Sequence, residues 1–211
     1  MKNILIFGDS YSTFHGYIPE HYAAYYWQEP DPCHGLNKVE QTWWHQLMTE
    51  TNSNIVINDS WSGSTVGYTG YEGENTDVNS FIARLEKYIS EGFFEKNEID
   101  TLFIFGGTND HWCGAEVGEL QFDNFKKEDL YRVLPAVCYM IKRSKDALPE
   151  AKIYWLINTE LGEAIPEGIR EACRHYGVEF IDFDHIEKIE GHPTPAGMTE
   201  IKNTIMSYLF N

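Results

Sequence analysis

A serine ends the first apolar run of the chain, at Ser10 in "NILIFGDSYS". Gly8, Asp9 and Ser10 are ordinary turn residues, yet groups able to do chemistry fall in the same setting four more times. "NIVIND" runs into "SWSGSTVG", which carries Gly63, and "DTLFIFGG" runs into Thr108, Asn109 and Asp110. "AKIYWLIN" runs into Thr159 and Glu160, and "VEFIDF" leads on to Gly191, His192 and Pro193. A serine hydroxyl becomes a useful nucleophile when a base takes its proton, and an imidazole titrating near neutrality suits that task. The tetrahedral intermediate then needs donors aimed at its oxyanion. The Ser10 N–H, an N–H from a glycine-bearing loop and a side-chain amide would supply three. Glycine at position 63 lets the backbone approach a substrate closely. These are the parts of a serine hydrolase.

The elements that must position them follow from periodicity. Short apolar runs bounded by turn residues read as buried strands at 3–8, 54–59, 100–107, 151–158 and 178–183. Helical spacing covers 40–51, 79–94, 127–149, 166–177 and 194–210. Pro135 falls inside the third helix and is expected to kink it. Pro166 near the start and Gly177 just past the end frame the fourth. Alternating strands and helices predict a parallel sheet covered on both faces, joined by right-handed crossovers, in a single domain over 1–211. Ligands of such sheets bind beyond the C-terminal strand ends, where the five loops above converge. Residues 11–40 fit neither period. The segment is aromatic and carries Pro and Gly, and it is expected to form a lid-like insertion over Ser10. Tyr25, Tyr26 and Trp27 are its candidates for a substrate-binding wall, since aromatic faces suit sugar rings and acyl chains alike.

Composition limits the partners. The formal charge of −17, from 33 acidic and 16 basic residues, repels phosphate backbones and anionic headgroups. Neither a nucleic acid nor a membrane is an expected partner; a small-molecule ester is. No apolar run approaches the roughly 18 residues of a membrane span, and "ILIF" is too short for a signal-peptide core, so the chain reads as cytoplasmic. The four cysteines are scattered, and Cys138 and Cys173 fall in helical patterns as small buried residues. Cys33-His34 and His111-x-Cys113 lack the spacing of a zinc finger and read as solvated or pocket-lining, so no metal is expected.

Gly8-Asp9-Ser10-Tyr11-Ser12, Gly63, Gly107-Thr108-Asn109-Asp110 and His192-Pro193 together resemble, in order and rough spacing, the four blocks of the SGNH (GDSL-type) hydrolases. The resemblance implies a flavodoxin-like three-layer α/β/α sandwich whose five-stranded parallel sheet runs in the order 2-1-3-4-5. It implies an ester hydrolase without a cofactor, in a family of esterases, lipases, thioesterases and carbohydrate acetylesterases. By the same resemblance Ser10 is the nucleophile and His192 the base, and Gly63 and Asn109 complete the oxyanion hole with the Ser10 N–H. One position departs from the pattern. The family commonly has an aspartate three residues before the histidine, and here that residue is Ile189. Three groups are candidates to orient the imidazole instead: a backbone carbonyl of the short "IEGHP" loop, Glu190, and Glu160 after strand four. The expected reaction is hydrolysis of a small acyl ester, such as an acetylated carbohydrate, through an acyl-Ser10 intermediate. A thioesterase or lysophospholipase using the same site, and a non-catalytic binding module on the same scaffold, stay open as alternatives.

Overall fold

The computed structural model describes residues 2–28 and 35–210. The five expected strands form as β1 (Asn3–Gly8), β2 (Asn54–Ser60), β3 (Thr101–Phe105), β4 (Lys152–Ile157) and β5 (Glu179–Asp182). They pair in parallel in the order β2-β1-β3-β4-β5. Among the described residues the helices are α1 (Trp43–Thr51), α2 (Thr76–Asn79), α3 (Phe81–Ser90), α4 (Phe93–Lys96), α5 (Thr108–Trp112), α6 (Val133–Ala147), α7 (Ala164–Tyr176) and α8 (Pro195–Phe210).

The central strands are apolar at both parities because both faces are covered. Leu5, Phe7, Leu102, Ile104, Ile153 and Trp155 join a core with residues of α3, α6 and α7. Ile4, Ile6, Phe103, Phe105, Tyr154 and Leu156 join a second core with residues of α1 and α8. Tyr11, Phe14 and Tyr26 of the aromatic segment after β1 are buried in that second core.

Two expected helices change in detail, and one element is new. The helix expected over 127–149 is a 3-10 turn (Lys127–Tyr131) followed by α6, which starts at Val133. Pro135 therefore stands in the first turn of α6, where its missing N–H leaves no intrahelical bond unmade and bends nothing. The helix expected over 79–94 is broken too. Ser80 caps α3, accepting the Ala83 N–H at 3.3 Å, and left-handed Gly92 precedes α4. Finally, β6 (Lys188–Ile189) and β7 (His192–Pro193) form a small antiparallel hairpin after β5. Two residues per strand are too few for any periodicity to show.

Candidate active site

The C-terminal end of β1 is built for close approach. A Cβ on Gly8 would lie 2.5 Å from Ser60 Oγ and 2.7 Å from Ser12 Cβ, so only glycine fits. Asp9 then caps a one-turn 3-10 helix, Ser10–Ser12, by accepting the Tyr11 N–H at 3.0 Å. The Asp9 carboxyl is fully buried, and its Oδ2 has no hydrogen-bond partner among the described residues. Burial pushes it up to about 7, and the nearby Asp110 adds to the rise against the pull of the Tyr11 N–H. This turn places Ser10 Oγ 3.0 Å from His192 Nε2.

His192 reaches that position from the hairpin. Glu190 and Gly191 turn the chain with φ of +49° and +79°, the left-handed pair of a type I′ turn. The turn brings the Glu190 carbonyl oxygen to 3.3 Å from His192 Nδ1. A proton on Nδ1 leaves Nε2 as an acceptor, which is the tautomer that can receive the Ser10 hydroxyl proton. Two buried tyrosines hold the turn from beneath. The Tyr11 hydroxyl donates to the Gly191 carbonyl, and the Tyr26 hydroxyl donates to the Pro193 carbonyl at 2.8 Å. Tyr25 stacks on the imidazole with ring centroids 3.6 Å apart and 6° between planes. The Tyr25 N–H donates to Thr13 Oγ1 at 2.8 Å, and that hydroxyl donates to the Ser10 carbonyl at 3.0 Å. The segment after β1 thus grips both Ser10 and His192.

The loop after β2 and the start of α5 meet beside them. Gly63 has φ +83°, which favours glycine, and a Cβ there would meet nothing within 4 Å. Asn109 Nδ2 donates to the Ser64 carbonyl at 3.1 Å, and Asn109 Oδ1 accepts from the Tyr71 hydroxyl at 3.1 Å. Asp110 ties α5 to the same loop, accepting from the Val66 N–H at 2.9 Å and the Gly67 N–H at 3.4 Å. Burial pushes the Asp110 carboxyl up to about 6. Arg84, only 1% exposed, joins these loops from below. Its Nη2 donates to the Gly8 carbonyl at 3.3 Å and to Ser64 Oγ at 3.1 Å, and its Nε donates to the Asn79 carbonyl at 2.9 Å. Its Nη1 bonds to the Asp59 carbonyl and lies 3.4 Å from the Asp59 carboxylate.

The family model for GDSL-like lipases and acylhydrolases matches residues 2–209 of the chain. The chain belongs to this family. Two solved structures assigned as GDSL-like lipases are similar to it over nearly all of both chains. That of Bacteroides ovatus ATCC 8483 is 36% identical, with a TM-score of 0.90, and the match covers 99% of this chain and 98% of that one. That of Bacteroides uniformis ATCC 8492 is 38% identical, with a TM-score of 0.90, over 99% and 95%. An acetyl xylan esterase from Butyrivibrio proteoclasticus shares the fold at 16% identity and a TM-score of 0.61, over 99% of this chain and 63% of that one. No curated protein sequence gives a significant match.

Within this GDSL-type scaffold the residues singled out in the sequence separate into groups. Ser10 and His192 touch. Asn109 is bonded to the residue that follows Gly63. Tyr25 covers the imidazole. Glu160, a candidate partner of His192, lies elsewhere: its carboxylate is 3.2 Å from Lys188 Nζ and its side chain is 75% exposed. Glu190 meets the imidazole through its carbonyl, because the turn aims the main chain at the ring. Tyr26 does not line a substrate wall, since it is 1% exposed and belongs to the core beneath the hairpin. Trp27 is half exposed and stacks on His15 with centroids 4.0 Å apart. Cys33 and His34 lie outside the described residues, as does the middle of the expected insertion. No group of three or more His, Cys, Asp or Glu residues among the described residues could hold a metal ion. No helix among them is long and apolar enough to cross a membrane.

Sequence reasoning missed Arg84, Tyr71 and the clamping role of Tyr11. Arg84 had a legible signal. It falls three residues after Phe81 and four before Tyr88, on the apolar stripe of α3, where a charge must find partners. Tyr71 had none, because "GYTGYEGEN" has no period that would aim a side chain.

Proposed function

We propose that this GDSL-type chain hydrolyses small acyl esters through an acyl-Ser10 intermediate, with acetylated carbohydrates as the substrate class. The observation that carries the reading is the 3.0 Å contact between Ser10 Oγ and His192 Nε2, within hydrogen-bond reach of a nucleophile and its base. His192 Nε2 takes the Ser10 proton as Oγ attacks the ester carbonyl. The Ser10 and Gly63 N–H groups and the Asn109 amide receive the oxyanion. On collapse, His192 returns the proton to the departing alkoxide, and a water activated by the same nitrogen then releases the acid.

A small acyl group and a sugar alcohol suit the surroundings. Ser10 is 2% exposed and Asn109 3%, which favours a short acyl chain at the reacting carbon. Trp112, 43% exposed with its ring centroid 5.5 Å from that of His192, offers an aromatic face of the kind that sugar rings pack against. The acidic surface disfavours anionic lipid aggregates. A fluorophosphonate probe, followed by peptide mapping, tests the reaction class: the expected adduct is on Ser10, and an unlabelled protein overturns it. A p-nitrophenyl ester series tests the acyl length. The expected optimum is acetate, and a preference for long chains overturns the small-acyl reading in favour of a thioesterase or lysophospholipase.

A further inference from the structure

Both ends of the Asn109 amide are occupied, and the two partners differ in kind. The Ser64 carbonyl can only accept a hydrogen bond, so the group facing it at 3.1 Å is the amide nitrogen. The oxygen end therefore faces Tyr71, and the Tyr71 hydroxyl is the donor across 3.1 Å. A half-turn of the amide would set Oδ1 against the Ser64 oxygen, where the two acceptors repel. Ser64 takes one N–H of Asn109, and no group among the described residues is bonded to the other.

The loop that carries Tyr71 is anchored at several points. The Tyr68 N–H donates to the Leu130 carbonyl at 2.9 Å, and the Thr69 hydroxyl donates to the Tyr131 carbonyl at 2.6 Å. The Thr76 hydroxyl donates to the Tyr68 carbonyl at 2.8 Å, and the Glu74 N–H donates to the Tyr71 carbonyl at 3.1 Å. The phenol itself is partly exposed, at 37%. Burial of the rest pushes its hydroxyl up to about 12, so it keeps its proton, and its capacity to donate, through the range of ordinary enzyme action.

We propose that Tyr71 is a positioning residue for ester hydrolysis: its hydroxyl locks the Asn109 amide in the orientation that presents N–H to the oxyanion. The inference rests on the proposed role of Asn109 as an oxyanion donor. Donation to the amide oxygen acts in two ways. It narrows the amide's torsional freedom, and it draws electron density toward Oδ1, which makes the N–H groups better donors. Neither effect operates on the ground-state ester as strongly as on the charged intermediate, so the signature is in kcat rather than KM.

The test is a double-mutant cycle on p-nitrophenyl acetate with Tyr71→Phe, Asn109→Ala and both together. Tyr71→Phe is expected to lower kcat about three- to tenfold, the scale of one lost hydrogen bond, with KM and Tm unchanged. In the Asn109→Ala background the same substitution is expected to change nothing further. In inactive Ser10→Ala protein, Tyr71→Phe is also expected to shift or broaden the Asn109 side-chain amide signals in 15N–1H spectra. An equal loss in both backgrounds, a rise in KM alone, or a silent Tyr71→Phe beside a full Asn109→Ala defect overturns the inference and leaves the reading of the site intact. An Asn109→Ala enzyme at wild-type rate overturns the reading of Asn109, and the inference falls with it.

Discussion

The two halves of the candidate site are built by different physics. Ser10 and Asn109 follow β1 and β3, neighbouring strands at the centre of the sheet. Main-chain ladders, two packed cores and Arg84 hold them, so their positions depend on many contacts at once. His192 stands on a two-residue strand outside the sheet. Among the contacts that hold its hairpin are two tyrosine hydroxyls, one stacked ring and the Lys188 bond to Thr159 Oγ1, most of them made by side chains. The serine turn of the first half is expected to tolerate the loss of one side-chain bond beneath it, whereas the hairpin is expected to move when one is lost.

Substitutions at the proposed reacting groups set the scale. Ser10→Ala and His192→Ala are each expected to lower kcat on the order of 10⁶-fold, with no further loss in the double variant, because the two act as one unit. Steady-state rates together with an unchanged near-UV spectrum check this, and a few per cent of residual activity in either variant would refute the pairing. Asn109→Ala comes next, at about 10²–10³-fold in kcat with KM nearly constant.

The contrast itself is sharpest in a matched pair. Tyr26→Phe removes one hydrogen bond from the hairpin, and Trp43→Phe removes the bond from Trp43 Nε1 to Ser12 Oγ, 3.1 Å, beneath the serine turn. The first is expected to lower kcat about tenfold with a small change in Tm, and the second to lower Tm by several degrees with kcat within about twofold. The same pattern in both variants, read by kinetics and calorimetry, would erase the distinction between the halves.

Asp9→Asn is expected to have the smallest effect on rate, and it reports on the sheet-borne half through pH. In the folded chain the Asp9 carboxyl is raised from 3.8 to about 7. Between those values the folded state keeps a proton that the unfolded state has lost, so the native fold loses stability as pH rises through this window. Asparagine can still accept the Tyr11 N–H and carries no charge to bury. Its Tm is expected to match the wild type near pH 4 and to exceed it by a few degrees above pH 7, and parallel melting curves across pH would contradict this.

The sheet-borne half was readable because it rests on strong signals. Each central strand is a run too apolar to lie anywhere but between two layers, and each ends at Gly, Ser, Asn or Asp. The resemblance in Gly8-Asp9-Ser10 and Gly107-Thr108-Asn109 then supplied roles. The hairpin half carried less in its pattern. Ile189 signalled only that the usual acid is missing, while the turn that aims the Glu190 carbonyl depends on backbone dihedrals that "IEGHP" leaves open. Tyr26 read as a substrate wall because it adjoins Tyr25 in an aromatic run, and only three-dimensional packing separates the ring on the imidazole from the ring beneath the hairpin. Pro135 misled for a related reason. A 3-10 turn followed at once by an α-helix has nearly the spacing of one long helix.

The sheet order also has a consequence in time. Ser10 and His192 meet across a separation of 182 positions. β1 comes first in the chain yet sits inside the sheet, and the hairpin follows β5 at the far edge. Contacts of such long range form late, since ordering the intervening chain must precede them. A folding intermediate with only β1 to β4 docked would carry the serine without its imidazole. During refolding, ester hydrolysis should arise after the fluorescence change of the core residues Trp43 and Trp155, in the slowest phase. On the proposed roles of Ser10 and His192, the chain is expected to stay inactive until the hairpin closes against Tyr11 and Tyr26.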